Sequence, residues 1–119
     1  MTKSELKIEF DDDKKVITII TPGENKIVIS DEDKSILITD QSDNKFELSD
    51  SGIVVDSPKD ISFSAKGKIS LDAMGEISIS SKADLKAAGM NIEHNANVGL
   101  TSKGGASAEL SAGGNTTVK

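Results

Sequence analysis

The second half of the chain repeats every eight residues, and this repeat most constrains what the chain can fold into. From residue 59 to 114 the rows read KDISFSAK, GKISLDAM, GEISISSK, ADLKAAGM, NIEHNANV, GLTSKGGA and SAELSAGG, followed by NTTVK. The third position of the first four rows is Ile61, Ile69, Ile77 or Leu85, with polar residues around it. Alternate side chains of a strand point to opposite faces. Each row is therefore predicted to be a short strand with one apolar face, followed by a corner.

The apolar residues of these rows form the predicted core. They alternate along each row and comprise Ile61, Phe63, Ile69, Leu71, Ile77, Ile79, Leu85, Ile92, Val98 and Leu100. Members before Gly89 have odd numbers and members after it have even numbers. Because a slip of one residue turns every later side chain to the opposite face, we expect a bulge at Ala88-Gly89 that returns them to the core.

One segment of the repeat has a helix-forming composition. Residues 81–90, SKADLKAAGM, contain good helix formers and end next to a glycine, which is typical of a short capped helix. However, Leu85 stands eight residues after Ile77 and continues its column. The sequence therefore favours a strand here as well.

The number of rows favours assembly from several chains. A solenoid wound from one chain needs about three rows per turn, and a stacked fold needs about three turns or more. Seven rows are too few for this. Three chains around a common axis would place each row on one face of a prism, at a strand spacing of ~4.7 Å and without open lateral edges. We therefore predict an all-β fold, an intertwined homotrimeric triangular β-helix (β-prism), with the apolar column at the trimer axis.

The first half of the chain has a looser spacing of about ten residues. Its predicted strands are Leu6 to Phe10, Val16 to Thr21, Lys26 to Ser30, Ser35 to Thr39, Lys45 to Ser49 and Gly52 to Asp56. Segments rich in Asp, Asn, Gly and Pro separate them, as is typical of turns. Ser57-Pro58 marks the change of spacing. We predict β-rows with acidic turns over residues 1–58 and an eight-residue-repeat shaft over residues 59–119.

Composition excludes several classes of function. Residues 1–58 carry 14 acids against 7 lysines, whereas residues 59–119 carry 6 acids against 7 lysines. A nucleic-acid-binding protein is expected to have a basic face with aromatic residues, and this chain has three phenylalanines as its only aromatics. Nucleic acid is therefore not an expected partner.

The sequence also has no cysteine, no apolar run long enough for a membrane span and no signal-peptide pattern.

Residues with potential chemistry are few. His94 is the only histidine; it is either a packed or water-bonded side chain or, in three copies at the axis, a ligand of an ion. The acidic clusters lack the spacing of a calcium loop, and the double glycines lack the lysine of a phosphate loop. No G-x-S-x-G motif is present. We expect no enzyme activity, no cofactor and no metal site beyond the His94 alternative.

The order of these parts resembles a known family. The segments IEFDDDKKVITIITPGENKIVISDEDKSILITD, GIVVDSPKDISFSAKGKISLDA and SAELSAGGNTTVK resemble the C-terminal needle of VgrG-type spike proteins of type VI secretion systems. They are also similar to the spikes of phage tail baseplates and other contractile injection systems. The resemblance extends over essentially the whole chain and rests on the order of strands, turns and rows.

The resemblance implies a function and partners. It implies a structural, membrane-puncturing needle that a contracting sheath drives through a target membrane. In such systems hub domains precede the needle, a tip protein with a PAAR motif caps it, and the tube protein and effectors accompany it. The resemblance also implies a cytoplasmic protein that leaves the cell on firing or forms the tip of a virion-like particle. We expect this chain to be the needle part of a longer protein.

Two other functions are compatible with a repetitive β-structure. A β-solenoid adhesin or ice-binding module would need a regular outer array such as a Thr-x-Thr ladder, whereas these rows mix Ser, Lys, Asp and Glu. A polysaccharide depolymerase like those of phage tailspikes would use Trp or Tyr to bind sugars and two facing carboxylates to cleave them. The chain has no Trp or Tyr.

Overall fold

The computed structural model describes residues 3–119 and contains six β-strands in its first half. They are Lys7–Asp11 (β1), Val16–Ile20 (β2), Lys26–Ser30 (β3), Ser35–Thr39 (β4), Lys45–Ser49 (β5) and Gly52–Asp56 (β6). No helix occurs among the described residues, so the all-β prediction is confirmed. β1 begins and ends one residue later than predicted, and β2 ends one residue earlier. The bounds of the other four strands are those predicted.

The strands form one antiparallel sheet in the order β1-β2-β3-β4-β5-β6. Each strand pairs with the next one along the chain, so every connection is a hairpin turn. Four of these turns contain a residue at positive φ close to the next strand: Lys15 (58°), Glu24 (69°), Lys34 (53°) and Asp43 (65°). A left-handed residue after a turn matches the twist of the two strands that it joins.

Side chains at the ends of the strands stabilise the turns. The Lys14 N–H donates to Asp11 Oδ1 at 3.1 Å, and the Asp33 N–H donates to Ser30 Oγ at 3.0 Å. Ser30 is 3% exposed, the lowest value among the residues described. The Asp and Ser residues of these turns thus bond to the nearby backbone, which is why such residues favour turns.

The hairpins repeat after nineteen residues. Lys7, Lys26 and Lys45 open β1, β3 and β5, respectively. Lys15 and Lys34 occupy equivalent left-handed positions, nineteen residues apart. The spacing of about ten residues in the sequence is therefore half of a longer unit, the hairpin.

Residues 57–119 are extended segments separated by bends. The bends lie at residues 58–59, 66–67, 74–75, 82–83, 90, 97–98, 105–106 and 113–114. Successive bends begin eight residues apart, except for the step of seven from 90 to 97. Within the described residues, no backbone-to-backbone hydrogen bond joins one of these segments to another part of the chain. The rows are thus present, but their backbone groups have no strand partner in the chain itself.

By their contacts the residues divide into two compact units. The first ends at Leu71 and the second is Asp72–Lys119. The first eight-residue row therefore belongs to the same unit as the sheet. The predicted division at residues 58 and 59, which follows the change of spacing, stays a prediction.

The described part of the chain has no buried hydrophobic residue. The sheet is one layer thick and no second layer covers it. A stable domain needs at least two packed layers around an apolar core. The described part of the chain does not provide a second layer over this sheet. None of the described residues forms a helix of the length and hydropathy that crossing a membrane requires.

Candidate assembly surface

One side of the sheet is entirely apolar. The second and fourth residues of every strand are apolar, and the pairing register places them side by side in two rows. The first row is Ile8, Ile19, Ile27, Ile38, Phe46 and Val55, and the second row is Phe10, Ile17, Ile29, Ile36, Leu48 and Ile53. We call these twelve residues the apolar face.

The other side of the sheet is mixed and is called the polar face. One of its rows is Lys7, Ile20, Lys26, Thr39, Lys45 and Asp56, and the next is Glu9, Thr18, Val28, Leu37, Glu47 and Val54. Charged residues on this face include the ion pair between Lys7 and Glu9, at 2.7 Å. An antiparallel sheet with one apolar and one polar face packs its apolar face and leaves the other in water.

The apolar face is far too exposed to remain uncovered. Nine of its twelve side chains are classed as exposed, from 38% for Ile19 and Ile36 to 73% for Phe10, and the remaining three are half-buried. Full burial of a large apolar side chain contributes about 1.5–3 kcal/mol. Completing the burial of this face would contribute on the order of 10 kcal/mol per chain. This free energy favours association of the chain through this face.

A concavity lies along the first row of the apolar face. Its volume is about 530 Å³, and five residues of that row line it together with Ile61. Asp40, Asn44 and Ser57 form part of its wall. Ile61 is the first residue of the predicted column, so the column begins beside the apolar face of the sheet.

The predicted column residues lie in extended segments and stay accessible. Ile61, Phe63, Ile69, Leu71, Ile77, Ile79, Leu85, Ile92 and Leu100 are all exposed. Exposure is lowest for Ile61, at 46%, and Ile77, at 50%. A single chain thus leaves its whole apolar column unpaired. Its position at a trimer axis stays a prediction.

Val98 differs from the rest of the predicted column. It lies in the bend at residues 97–98 and is fully exposed, as are Met74 and Met90 in their bends. Val98 also stands eight residues after Met90, so the repeat assigns both to the same position. The structure therefore places Val98 at a corner, whereas Leu100 lies in the following extended segment.

The predicted column residues have odd numbers before Gly89 and even numbers after it, and the spacing of the bends changes at the same place. The bend at Met90 consists of one residue instead of two, and the next bend begins seven residues later. As a result Ile92 follows Leu85 by seven residues instead of eight. The row is shortened directly after Ala88-Gly89, where the sequence predicts a bulge.

His94 lies in an exposed extended segment. Beside it, Asn95 Nδ2 donates to Glu93 Oε1 at 2.6 Å. The described residues contain no group of three or more His, Cys, Asp or Glu side chains that could hold a metal ion. An ion at His94 would require side chains from three chains, so this alternative stays a prediction.

A hydrogen-bonded cluster connects the turn between β4 and β5 to Ser57, which lies two residues before the first eight-residue row. The N–H and Nδ2 groups of Asn44 donate to Asp40 Oδ1 and Oδ2 at 3.0 and 2.9 Å, and the Ser42 N–H donates to Asp40 Oδ1 at 2.9 Å. The Asn44 side chain, followed by the two backbone N–H groups, holds the pKa of the Asp40 carboxyl below its ordinary value. The Ser57 hydroxyl donates to Asn44 Oδ1 at 2.5 Å.

Sequence reasoning missed the apolar face of the first half. The signal was present, since each five-residue strand is apolar at its second and fourth positions. That all twelve residues share one face follows only from the pairing of β1 through β6. The apolar face and the predicted column together are the candidate surface for assembly.

The comparison with known families shows which family the chain belongs to. The sequence model described as phage baseplate V C-terminal trimerisation domain matches residues 16–118. The chain belongs to this family. The match extends over β2 to β6 and the eight-residue rows, and it confirms the resemblance to the C-terminal needle of VgrG-type spikes. A phage baseplate V C-terminal trimerisation domain has a structural role in a baseplate or spike, and membership supports a homotrimer. A search of curated proteins found no match to the chain.

Proposed function

We propose that three copies of this chain form the rigid shaft of a membrane-puncturing spike in a contractile injection apparatus. The observation that carries the proposal is the uncovered apolar face, continued by a column of exposed apolar residues through the rows. The shaft would be an intertwined triangular β-helix, with the apolar faces and columns of three chains turned toward its axis.

Interchain pairing would give the shaft its stiffness. Buried backbone N–H and C=O groups need hydrogen-bond partners, and within the described residues no backbone-to-backbone hydrogen bond joins the rows of residues 57–119 to another strand. When strands of neighbouring chains alternate along the shaft, each row has a partner on both sides. Bending the shaft would then break several hydrogen bonds together, inside a core that excludes water.

The outer surface fits a soluble trimer. The polar face and the acidic turns would point away from the axis, and each chain carries a net charge of −6. Like charges keep the trimers from associating side by side. Open strand edges, which otherwise promote aggregation, would remain only at the two ends of the shaft.

The proposed action is mechanical and non-enzymatic. Force would come from a contracting sheath, and the shaft would transmit it to the target membrane. A PAAR-type tip protein, the tube protein and effectors are the proposed partners in the full-length parent. The protein would lie in the cytoplasm before firing and outside the cell, or at the tip of a particle, afterwards.

No observation favours the adhesin or the depolymerase alternative. The polar face mixes lysines, acids, serines and β-branched residues instead of presenting a regular Thr ladder. The lining of the concavity at the apolar face includes six Ile, Phe and Val side chains and no Trp or Tyr, which suits packing against another chain better than binding a sugar.

Light scattering after size exclusion tests the proposal. The full chain, of 12.5 kDa, should elute at micromolar concentration with three times the mass of one chain. Hydrogen exchange should show protected amides in the rows, since their partners lie in neighbouring chains. A stable monomer would contradict the proposed function.

A further inference from the structure

Ser57 occupies a distinctive position at the junction between the two halves of the chain. It is the one residue between 50 and 119 that is not exposed. It follows β6 directly and precedes Pro58, where the sheet ends and the rows begin. Its hydroxyl donates to Asn44 Oδ1 at 2.5 Å and accepts from the Lys59 N–H at 3.1 Å. The start of the rows is thus tied to the turn between β4 and β5.

Asn44 is oriented to make this contact. Its Nδ2 donates to Asp40 Oδ2 at 2.9 Å, and its backbone N–H donates to Asp40 Oδ1 at 3.0 Å. A side-chain amide has two donor hydrogens on nitrogen and an acceptor oxygen. Because the nitrogen faces the Asp40 carboxylate, the oxygen is directed to Ser57.

The preceding hairpin contains the same arrangement. Asn25 stands nineteen residues before Asn44, and its backbone N–H donates to Thr21 Oγ1 at 3.3 Å. Asn25 Oδ1 accepts from the Gln41 N–H at 3.3 Å, two residues beyond the end of β4. In both repeats, an asparagine at the end of one turn holds the chain where it leaves the following hairpin.

We propose that Asn44 and Ser57 are positioning residues that fix the direction in which the chain leaves the sheet and so set the register of the Ile61 column. Ser57 precedes a proline, which disfavours the α conformation at Ser57, and Pro58 has a restricted φ. The hydrogen bond between Asn44 and Ser57 further restricts this dipeptide. Ile61 follows Ser57 by four residues, and it lines the same concavity as Asn44 and Ser57.

The inference rests on the proposed function, because the rows need neighbouring chains to become protected. Its test is hydrogen exchange on the trimeric full chain with Ser57→Ala. A neutral hydrogen bond contributes about 0.5–1.5 kcal/mol, so amides of residues 61–71 should exchange about threefold to tenfold faster, while those of β2 and β3 are unchanged. Ser57→Thr keeps the hydroxyl and should retain wild-type exchange.

Substitution of Asn44, the hydrogen-bond partner of Ser57, provides a second test. Asn44→Ala should give the same local increase, and the double variant with Ser57→Ala should add little to either single variant, since all three lack the same contact. Asn95→Ala, in an exposed row, is the matched control and should leave residues 61–71 unchanged.

The outcomes separate the inference from the proposed function. A wild-type trimer in which Ser57→Ala leaves the exchange of residues 61–71 unchanged would overturn the inference alone. An equal loss of protection in β2 and β3 would also overturn it, because Ser57 would then stabilise the fold in general. A monomeric wild type would overturn the proposed function.

Discussion

Val54 and Val55 are neighbours in β6, with exposures of 43% and 47%, but they belong to opposite faces of the sheet. Val54 pairs with Glu47 on the polar face, and Val55 pairs with Phe46 on the apolar face. The same residue type with nearly the same exposure therefore has two different surroundings. In the proposed trimer one valine faces water and the other faces the axis.

Val55→Lys should prevent trimer formation at micromolar concentration. The substitution would place three ammonium groups in the apolar interior, and burial of an unpaired charge costs several kcal/mol. Val54→Lys is the matched control. It places the ammonium group opposite Glu47, where a cross-strand pair of opposite charges is worth about 0.2–1 kcal/mol. Light scattering should show a trimer for Val54→Lys only; trimers of both variants would show that the apolar face is not the interface.

Ile77→Asp should abolish assembly of the rows. Ile77 belongs to the predicted column, and three carboxylates at the axis would lack partners. Ser78→Asp, in the same extended segment but one position along, should point outward and change the melting temperature little. If the two variants melt at the wild-type temperature, Ile77 does not face the axis.

Gly104→Ala should destabilise the rows near the C-terminal end. A Cβ at Gly104 would lie 1.8 Å from the carbonyl oxygen of Ser107, whereas a Cβ at Gly105 would meet no atom within 4 Å. The backbone must shift to relieve such a contact, at a cost of about 1–3 kcal/mol. Thermal unfolding should therefore show a lower melting temperature for Gly104→Ala than for Gly105→Ala. Equal values would contradict the close approach of Gly104 to Ser107.

Stability should depend on the Asp40 carboxylate at acidic pH. Its hydrogen bonds to Asn44 and Ser42 lower the pKa of Asp40 in the folded state. The ionised form is therefore favoured by folding, and its contribution is present above the unfolded-state pKa of roughly 4 and is lost as the pH falls through the lower folded-state pKa. The free energies of unfolding of wild type and Asp40→Asn, measured with urea, should differ at pH 7. The difference should begin to shrink as the pH falls below about 4.

The control for this prediction is Asp13→Asn, in the exposed turn between β1 and β2. Its difference from wild type should stay small between pH 7 and pH 3. A pH-independent difference between wild type and Asp40→Asn would show that the carboxylate acts through its shape and not through its charge.

Local patterns in the sequence were sufficient to predict the strands β1 to β6. Turn segments such as residues 12–15 and 31–34 limit the strands from both sides, because their Asp residues favour the turn backbone whatever lies elsewhere. The alternation of apolar and polar residues then predicted six strands to within one residue. The eight-residue spacing likewise predicted short strands with corners between them. The structure has bends at regular intervals, but the described segments between them form no strand within one chain.

Contacts between distant parts of the chain were not predictable in this way. Asn44 and Ser57 are separated by the whole β5–β6 hairpin, and only the pairing register brings the two side chains together. Val98 alternates with Leu100 in the sequence, which predicts a place in the column. In the structure it lies in the bend at residues 97–98, at the same position of the eight-residue repeat as Met74 and Met90.

The sequence by itself determined that the chain forms short strands with an apolar side, since alternation and turn chemistry act over a few residues. Only the tertiary structure decided that the twelve apolar residues of β1 to β6 share one face and that no other described part of the chain covers it. Strand pairing sets which side chains become neighbours, and a single-layer sheet has no interior of its own. In the proposed trimer, burial of that face would be a property of several chains together.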